Sequence, residues 1–504
     1  MKGRAARIHP FDEAGLTRDS HGVWQFEALP LSVPALLEAV AQRSPEGQAI
    51  AMVGGDCLRY RQLLDACARV AGGLRARGVR RSDRVGLLLG NGIDWCLGFL
   101  GAMCAGAVPV PVNTRFAPTE IEHVLRDADV RTSSVSGEPI PQGAPYIDES
   151  LQPSDLACLI YTSGTTGAPK GAMLTHGNVV SAAEVVMREL ALPFGEVRSL
   201  LAVPLFHVMG SINQLLPALW AGGAAVIMPT FNVDGWVAAI ADERINLLTA
   251  VPAIFWQTLR HPQFPSLDTS AVRWVGYGGA PTPPEQVREI VKAFPAARMG
   301  PGYGLTESGG SVCSLPHEYA VSHAHSVGLA APGAEFQLLD EDADGAGELL
   351  IRAPTVAAGY WRNDSATMET FGSGWLRSGD VVRIDEDGFL SIIDRIKDTV
   401  NRGGENVYCV EVEHALAAHP AVAEVAVVGV PDQMMGEKVG AVLVSRPGMT
   451  VDVADVLEFA GSRLADFKVP QYVVVTDNPL PRNAGGKVVK PMLRSQTNWG
   501  RPLR

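Results

Sequence analysis

The sequence has few cysteines, and their spacing excludes two kinds of site. Seven cysteines are spread over 504 residues, with no Cys-x-x-Cys pair and no histidine nearby at the spacing of a metal site. They are expected to be free, buried small apolar side chains of a protein in a reducing compartment. A disulfide framework and a zinc site built on cysteine pairs are therefore not expected.

The sequence also lacks a hydrophobic run long enough to cross a membrane. The longest apolar stretch, residues 97–112, is interrupted by three glycines and two prolines, whereas a spanning helix needs about 20 apolar residues. The first ten residues are basic but have no apolar core, so they do not resemble a secretory signal. A cytoplasmic protein is expected, and the sequence leaves peripheral contact with a membrane and the oligomeric state open.

Positive charge is in deficit. The chain has 42 Lys and Arg against 54 Asp and Glu, a formal net charge of −12. A nucleic-acid partner would require a basic face, so none is expected. An anionic ligand must instead be held by local donors. The length, with 47% hydrophobic and 19% charged residues, predicts a globular chain of two or more domains.

The most informative stretch is residues 159–171, Leu-Ile-Tyr-Thr-Ser-Gly-Thr-Thr-Gly-Ala-Pro-Lys-Gly. The apolar run 157–161 predicts a buried strand of the parallel type. The glycines that follow allow backbone N–H groups to converge on an anion, the hydroxyls donate hydrogen bonds, and the lysine adds charge. A polar surface turn has a similar composition, but thirteen ordered residues are more specific and predict a phosphate site. Its predicted donors are Thr162, Ser163, Gly164, Thr165, Thr166, Gly167 and Lys170.

Three later segments carry groups suited to a nucleotide. Tyr277-Gly-Gly-Ala-Pro281 follows a predicted strand, where glycines permit a flat ligand to approach the backbone. Gly302-Tyr-Gly-Leu-Thr-Glu-Ser308 offers an aromatic face, a hydroxyl and a carboxylate oxygen of the kind that Mg²⁺ prefers. Gly374-Trp-Leu-Arg-Ser-Gly-Asp380 ends in a carboxylate suited to ribose hydroxyls. Taken singly, each is also compatible with an ordinary turn.

In this order the motifs resemble those of the adenylate-forming superfamily, which includes acyl-CoA synthetases, the adenylation domains of peptide synthetases and beetle luciferases. The resemblance extends from about residue 31 to residue 493. It implies ATP, Mg²⁺ and coenzyme A as cofactor and co-substrates. It also implies that a carboxylic acid is activated as acyl-AMP and then transferred to a thiol.

The resemblance assigns roles to individual residues. Lys487 is the implied catalytic lysine, Glu307 the Mg²⁺ ligand, and His207 a wall of the acyl pocket. Asp398 is the implied hinge pivot. The implied catalytic set also contains Lys170 and Thr166, and the implied nucleotide and coenzyme A contacts beyond the phosphate loop are Gly278, Gly279, Ala280, Tyr303, Gly304, Thr306, Asp380, Arg395, Gly403 and Gly404.

Periodicity and resemblance together predict the fold. Strands and helices alternate from about Tyr60 to Val112, as in a parallel α/β unit. The predicted fold class is α/β, with a large N-terminal region of several subdomains at 1–394, whose parallel sheets are flanked by helices. A hinge at 395–400 and a small, mobile α+β domain at 401–504 follow. Residues 1–30 show no clear period.

The expected substrate is an apolar monocarboxylic acid, fatty or aryl. The predicted pocket segments, residues 206–213, 276–280 and 302–310, contain no Lys or Arg, so a second carboxylate would be buried unpaired. Gly309 and Gly310 are expected to leave room for it. Coenzyme A is the expected acceptor because the sequence ends after the small domain. A carrier-protein loading enzyme, a luciferase-like oxygenase and a non-catalytic nucleotide-binding regulator are the alternatives.

Overall fold

The structure is a computed structural model that describes residues 10–162, 169–280, 282–403, 405–482 and 488–503. The chain folds into two compact units. The first comprises the chain through Gln337 together with Leu350–Ser378 and Asp385–Ser391, and the second comprises Leu338–Leu349, Gly379–Ile384 and the chain from Ile392 onward. The units alternate along the chain, whereas the predicted domains are contiguous. The hinge at 395–400 stays a prediction.

The elements up to residue 190 alternate between short strands and longer helices. In chain order they are β1 (Leu16–Arg18), β2 (Trp24–Phe26), α1 (Val33–Arg43), β3 (Gln48–Met52), β4 (Cys57–Arg59), α2 (Tyr60–Ala76), β5 (Arg84–Leu88), α3 (Ile93–Cys104), β6 (Val108–Pro111), α4 (Pro118–Asp127), β7 (Val130–Val135), β8 (Leu156–Thr162), β9 (Lys170–Thr175) and α5 (His176–Leu190).

The elements from residue 198 to residue 330 continue this alternation, with a π-helical turn at Ser211–Leu215 between two helices. They are β10 (Arg198–Leu201), α6 (Val208–Gly210), α7 (Leu216–Trp220), β11 (Ala224–Ile227), α8 (Val233–Asp242), β12 (Leu247–Ala250), α9 (Pro252–Leu259), β13 (Trp274–Tyr277), α10 (Pro284–Ala293), β14 (Arg298–Met299), β15 (Gly302–Leu305), β16 (Gly310–Ser314) and β17 (Leu329–Ala330).

The remaining elements are mostly strands. They are β18 (Glu335–Leu339), β19 (Ala346–Arg352), α11 (Asp364–Phe371), β20 (Leu376–Ile384), β21 (Leu390–Arg395), β22 (Val400–Arg402), β23 (Glu405–Val407), α12 (Cys409–Ala417), β24 (Val422–Asp432), β25 (Gly436–Ser445), α13 (Val453–Gly461), β26 (Tyr472–Thr476) and α14 (Lys490–Gln496).

Parallel pairing dominates the first unit. A seven-stranded sheet has the order β14-β13-β12-β10-β11-β3-β4, and every pair in it is parallel except β3 with β4. A three-stranded sheet, β6-β5-β7, is wholly parallel. Helices connect these strands, as right-handed crossovers require. The predicted α/β fold class is confirmed.

One strand prediction is wrong in its type. The buried run at 157–161 forms β8, but β8 pairs antiparallel with β9, with Thr162 opposite Lys170. The connection between them has too few residues for a crossover, which takes about a dozen or more, so the two strands form a hairpin. The sequence pattern is apolar throughout because β8 is buried along most of its length, and an apolar run does not reveal strand direction.

Helix α2 shows how the apolar pattern determines packing. Leu63, Cys67, Val70 and Leu74 recur at helical spacing and are all at most 1% exposed. Burying an aliphatic side chain of this size contributes about 1.5–3 kcal/mol. The helix ends before Gly78, whose φ of +83° suits a glycine.

The N-terminal segment contains a structure that the sequence did not reveal. Strands β1 and β2 pair antiparallel, with Leu16 opposite Phe26. Phe26 is buried and packs beside Val185 of α5. Each strand has three residues, which is too short for a period to be recognised.

The second unit is an α+β structure around one mostly antiparallel sheet. Its order is β23-β22-β25-β24, and β26 joins β25 in parallel. Valine and leucine from β24 and β25 pack with α12 and α13 in a single core. A further sheet has the order β18-β19-β20-β21.

The structure shows the state of the cysteines and the character of the helices. All seven cysteines are free, and six are buried, with Cys57 exposed. Desolvation raises the pKa of the buried Cys104 thiol to about 12, so it stays protonated and unreactive. Among the described residues, no helix combines the length and the apolar character that crossing a membrane requires.

A close approach between backbones holds part of the first unit together. The segment at 141–146 crosses α2, where Gly143 N–H donates to the Arg69 carbonyl at 2.9 Å and Tyr146 N–H donates to the Ala68 carbonyl at 3.0 Å. A Cβ atom on Gly72 would lie 1.7 Å from the Ala144 carbonyl oxygen. The helix therefore needs glycine here, despite its low helix propensity.

We expect Gly72→Ala to lower the free energy of unfolding of the first unit by about 2 kcal/mol, the usual range for overpacking a close contact. Gly90→Ala is the control, because a Cβ at Gly90 meets no atom within 4 Å, and its change should stay below about 0.5 kcal/mol. Thermal and urea unfolding measure both. Equal effects of the two substitutions would contradict the close approach.

Candidate active site

The hairpin of β8 and β9 presents the two ends of the predicted phosphate loop. Thr162 lies opposite Lys170, and its hydroxyl faces the Lys170 carbonyl oxygen at 3.5 Å. The loop donors Ser163, Gly164, Thr165, Thr166 and Gly167 lie outside the described residues. Their predicted roles are therefore carried by the sequence alone.

Lys170, Tyr360 and Glu307 lie side by side although they are far apart in sequence. The Tyr360 hydroxyl donates to Oε1 of Glu307 at 2.8 Å, and Nζ of Lys170 lies 5.2 Å from the centroid of the Tyr360 ring. Burial, and then Glu307, raises the pKa of Tyr360 above its usual range. The hydroxyl therefore stays protonated and donates to the carboxylate. The face of the ring attracts the positive charge of Lys170.

Backbone pairing places Tyr360 beside β9. Ala172 and Tyr360 form an antiparallel bridge, and Trp361 N–H donates to the Gly171 carbonyl at 2.8 Å. Sequence reasoning missed Tyr360. The run Gly359-Tyr-Trp is a weak signal in the sequence, because only its pairing with β9 shows which ligand-binding residue the tyrosine reaches.

A tight turn between β15 and β16 holds Glu307. The Ser308 hydroxyl accepts from Leu305 N–H at 2.8 Å, and Gly309 N–H donates to the Thr306 carbonyl at 3.0 Å. The Glu307 carbonyl accepts from Ala357 N–H at 2.9 Å. Main chain and side chain of Glu307 are therefore both fixed, and Thr306 and Glu307 keep accessible surface.

The residues around Glu307 are suited to a hard divalent cation that is held partly by the protein and partly by the phosphates of a bound molecule. Mg²⁺ is usually bound through one or two carboxylates together with phosphate oxygens and water. The Tyr360 hydroxyl occupies one oxygen of Glu307 and leaves the other for a cation. Among the described residues no group of three or more acidic, histidine or cysteine side chains forms a metal cage. This donor set suits Mg²⁺ delivered with a nucleotide.

Glycines allow two strand ends to meet at the predicted adenine segment. Gly278 and Gly302 form a parallel bridge, and a Cβ atom on Gly278 would lie 2.4 Å from the Gly302 carbonyl oxygen. Gly279 has a φ of +76°, and Gly279 and Ala280 are exposed. The segment thus presents bare backbone next to Gly302, Tyr303 and Gly304, as a flat ligand requires. Pro281 lies outside the described residues.

The segment at 204–213 lies at the same strand end. His207 precedes α6, and its ring lies 4.6 Å from the Phe206 ring. Sδ of Met209 lies 3.9 Å from where a Cβ atom on Gly279 would stand. Phe206 is buried and His207 is partly accessible. The structure therefore brings together two of the segments predicted to form the acyl pocket.

The expectation for Gly309 is wrong. Its φ is +71°, and a Cβ atom there would lie 2.3 Å from the Thr355 carbonyl oxygen. A side chain at Gly309 would collide with the backbone and strain its own, rather than fill acyl space. The expectation that Gly310 leaves room is wrong as well, because Oδ1 of Asn213 would lie 1.8 Å from a Cβ atom there.

The second unit contains the predicted ribose contacts. Asp380 is 3% exposed, and its carboxylate pairs with Nε of Arg395 at 2.8 Å. Strands β20 and β21 carry them. The structure therefore brings together a carboxylate and a guanidinium that were each predicted to contact the substrates.

The other predicted residues of this unit are only partly described. Gly403 has a φ of +64°, and a Cβ there would lie 2.5 Å from Cε of Met435. Its need for glycine thus has a local cause, and its predicted contact with coenzyme A stays a prediction. Gly404 and Lys487 lie outside the described residues.

A buried carboxyl anchors the start of the predicted hinge. Asp394 accepts from Arg395 N–H at 2.8 Å and from Cys409 N–H at the start of α12. Burial raises the pKa of Asp394 to about 6. Asp398 N–H donates to the Arg395 carbonyl at 2.9 Å, and the Cys409 thiol donates to the Asp398 carbonyl at 2.9 Å. Residues 394–398 are thereby tied to the first turn of α12.

Sequence comparison relates the chain to one family. The profile described as AMP-binding enzyme matches residues 37–145 and 132–361, and that described as AMP-binding enzyme C-terminal domain matches residues 411–487. The chain is 35% identical over 479 residues to a feruloyl-CoA synthase of an Amycolatopsis species, covering 90% of this chain and 96% of that protein. It is 34% identical over 498 residues to a long-chain-fatty-acid–CoA ligase of Mycobacterium tuberculosis, covering 92% and 97%.

Solved structures agree with the sequence comparison. One is o-succinylbenzoate-CoA synthetase from Bacillus subtilis in complex with its acyl-adenylate intermediate, with a TM-score of 0.81, 28% identity and coverage of 92% of this chain and 99% of that one. Another is ATP-bound MatB from Rhodopseudomonas palustris, with a TM-score of 0.81, 30% identity and coverage of 91% and 98%. The similarity extends over nearly the whole length of each protein.

We expect Tyr360→Phe to weaken binding of ATP in the presence of Mg²⁺ by about tenfold, because a residue that orients a metal ligand typically contributes 10- to 100-fold. Binding of ATP without a divalent cation should change little. Calorimetric titration measures both affinities. Tyr319→Phe is the control, since the Tyr319 ring packs against Phe389 and His323. An equal loss with and without Mg²⁺ would show that Tyr360 does not act through Glu307.

Proposed function

The chain belongs to the AMP-binding enzyme family, and on that premise we propose that it activates a fatty or aryl monocarboxylic acid as an acyl adenylate and transfers the acyl group to coenzyme A. It is an AMP-forming acid–thiol ligase. The observation that carries the proposal is the contact of Tyr360 with Glu307 and Lys170 at the end of the phosphate-loop hairpin. This contact supports the proposal because it brings a carboxylate suited to Mg²⁺ next to a lysine suited to phosphate.

The reaction has two half-reactions. In the first, a carboxylate oxygen of the acid attacks the α-phosphorus of ATP, the bond to the bridging oxygen breaks, and pyrophosphate leaves. In the second, the thiolate of coenzyme A attacks the acyl carbon, the bond to the AMP oxygen breaks, and AMP leaves. Neither step requires a protein nucleophile, so positioning and charge stabilisation account for catalysis.

The residues of the first unit are proposed to hold the phosphates and the base. Lys170 and the loop hydroxyls, including Thr166, take the charge of the departing pyrophosphate. Glu307 holds Mg²⁺, which when bound neutralises phosphate charge. The bare backbone at 278–280 and the Tyr303 ring accept adenine, while Gly304 and Thr306 lie beside the phosphates. His207 positions the acid.

The residues of the second unit are proposed to hold the ribose, the α-phosphate and the thiol arm. Asp380 accepts from the ribose hydroxyls, and Arg395, which pairs with Asp380, donates to the sugar. Lys487 stabilises charge at the α-phosphate. Gly403 and Gly404 line the path of the pantetheine arm.

The acyl pocket supports a substrate with one carboxylate. Its predicted segments contain no Lys or Arg to pair with a second carboxylate. The relatives are named for feruloyl and long-chain fatty acyl substrates. An acid panel assayed for AMP release with coenzyme A present tests the class, and preferred turnover of dicarboxylates would contradict it.

Loading of a carrier protein is less favoured, because the relatives are named as ligases or synthases of coenzyme A thioesters. Side-by-side assays with coenzyme A and with a phosphopantetheinylated carrier separate the two acceptors. A non-catalytic regulator would bind ATP without releasing pyrophosphate in the presence of any acid. An oxygenase of the luciferase type would consume oxygen with the acyl adenylate.

We expect Lys487→Ala to slow acyl-adenylate formation by about 10² or more, the range for loss of a donor at a developing charge. Conversion of supplied acyl adenylate to acyl-CoA should persist, because the charge that Lys487 is proposed to stabilise develops at the α-phosphate only during adenylation. Pyrophosphate release and thioester formation are measured separately. The control is Lys292→Ala in α10 of the first unit, which should leave both rates unchanged. Equal damage to both steps by Lys487→Ala would contradict the assigned role.

The proposed hinge gives a second expectation. Lys487 and the thiol must each reach the same reaction centre in different steps, so the second unit is proposed to reorient about Asp398 between them. Asp398→Pro fixes φ near about −65° and removes the N–H that bonds to the Arg395 carbonyl. We expect a normal single turnover of adenylation and slow transfer to coenzyme A, so that acyl-AMP accumulates. Asp398→Ala, which keeps the N–H, should transfer normally, and parent transfer rates in Asp398→Pro would contradict the hinge.

A further inference from the structure

Glu189 is an acidic side chain placed inside the first unit. It stands in the last turn of α5, and its Oε1 accepts from the Ser311 hydroxyl at 2.9 Å. The neighbouring Arg188 is paired with Glu184 instead, at 2.8 Å. Burial raises the pKa of Glu189 to about 8, with the Ser311 hydrogen bond acting in the opposite direction. Near neutral pH the side chain is therefore mostly a neutral acid that donates and accepts hydrogen bonds.

Contacts place this carboxyl next to the predicted acyl pocket. Ser311 follows Gly310 on β16, and its Oγ lies 3.3 Å from where a Cβ atom on Gly302 would stand. Gly302 bridges to Gly278 at the predicted adenine segment. Leu190, the residue after Glu189, reaches within 2.3 Å of a Cβ atom placed on Gly300. A short path of neighbours thus leads from the nucleotide segment inward to Glu189.

The members of this path keep accessible surface. Gly278, Gly300, Gly302, Ser311 and Glu189 are all of intermediate exposure, while desolvation is the main cause of the raised pKa of Glu189. A ligand can therefore contact both Ser311 and Glu189. Ser311 directly follows residues 302–310, one of the three segments predicted to form the acyl pocket, and Gly278 belongs to another.

Unpaired polar atoms near the path provide a second, independent observation. Within the described residues, Oε1 of Gln214 and Oδ1 of Asn213 are buried without a hydrogen-bond partner. Gln214 is 2% exposed, and its amide nitrogen is held by the Thr249 carbonyl at 2.9 Å. Asn213 faces Gly310, next to Ser311. Buried oxygens without partners are rare in folded proteins, and these two are available to accept a hydrogen bond from a bound molecule.

We propose that Glu189 and Ser311 bind a neutral hydroxyl group on the substrate, at the end remote from its carboxylate, so that the preferred acids are hydroxylated ones such as hydroxyaryl acids. This inference rests on the proposed ligase function and narrows its substrate class. A plain alkyl or phenyl group would displace water and leave the second oxygen of Glu189 and the nearby amide oxygens of Asn213 and Gln214 without partners. A hydroxyl both donates and accepts, and it matches a neutral carboxyl.

The sequence prediction of an apolar acid did not include this residue. Glu189 belongs to α5, which lies outside all three predicted pocket segments. A single Glu in an amphipathic helix is ordinarily a solvated surface residue, and only the contact with β16 places it inside.

Matched pairs of acids test the proposal. We measure kcat/KM for AMP release in the presence of coenzyme A with 3-phenylpropanoate and 3-(4-hydroxyphenyl)propanoate, and with octanoate and 8-hydroxyoctanoate. The hydroxylated member of at least the aryl pair should be preferred by about tenfold or more. A preference for 3-(4-aminomethylphenyl)propanoate over the hydroxylated acid would mean that Glu189 pairs with a cation, and it would overturn the proposal.

Variants of Glu189 and Ser311 test whether these two residues cause the preference for the hydroxylated acid. Glu189→Leu and Ser311→Ala should each abolish it, through loss with the hydroxylated acid only, and Glu189→Gln should retain it within about threefold, because Gln resembles a neutral carboxyl. Ser311→Ala removes one hydroxyl and keeps the test valid should Glu189→Leu fail to fold. Glu122→Leu on the exposed face of α4 is the control and should leave the preference unchanged. Equal loss with both members of a pair would make Glu189 a structural residue and overturn the proposal.

The outcomes also separate this inference from the proposed function. Equal turnover of hydroxylated and plain acids by the parent protein refutes the hydroxyl site and leaves the ligase function in place. Absence of AMP release with every acid refutes the ligase function. In that case, equal stabilisation of the parent against heat by hydroxylated and plain acids would refute the hydroxyl site as well.

Discussion

The hydrogen bond between Tyr360 and Glu307 is the interaction on which the geometry of the first unit's site depends. It joins a strand-like segment paired with β9 to the turn between β15 and β16. Because the tyrosine ring also faces Lys170, three segments that are at least 53 residues apart in the sequence meet in one place. The lysine, the ring and the carboxylate are thereby positioned before any ligand arrives, and preorganisation of this kind is the main source of electrostatic catalysis.

Glycines, which lack a side chain, shape the rest of the candidate site. Gly278 and Gly302 bring two strand ends together so closely that a Cβ atom on Gly278 would lie 2.4 Å from the Gly302 carbonyl oxygen. Gly309 shows the limit of the argument from composition, since its missing side chain accommodates the Thr355 carbonyl and not a ligand. Which glycine serves which purpose depends on the direction of each absent Cβ bond.

The net charge of the protein does not show how its individual charged groups are arranged. A net charge of −12 disfavours an anionic ligand at long range, yet the sequence of the predicted phosphate loop combines glycines, hydroxyl residues and Lys170. Inside the fold, acidic groups are handled in two ways. Asp380 is paired with Arg395, whereas Glu189 and Asp394 are buried with raised pKa values and hydrogen bonds from neutral donors. The first arrangement pairs a carboxylate with a guanidinium, and the second favours the neutral acid.

The sequence by itself determined the family, the α/β class and the motifs, because these depend on local order: a Gly-, Ser- and Thr-rich loop after an apolar run, and apolar residues at helical spacing in α2. It did not determine strand direction in β8, the β1 and β2 hairpin, or the roles of Tyr360 and Glu189. The two hairpins were missed for local reasons: β1 and β2 are too short to show a period, and β8 is apolar throughout, which conceals strand direction. The proposed roles of Tyr360 and Glu189 depend instead on contact between distant segments, which no local period records. Tyr360 reaches Glu307 only when it bridges to β9, and Glu189 reaches Ser311 only when α5 packs against β16, so tertiary structure decided both.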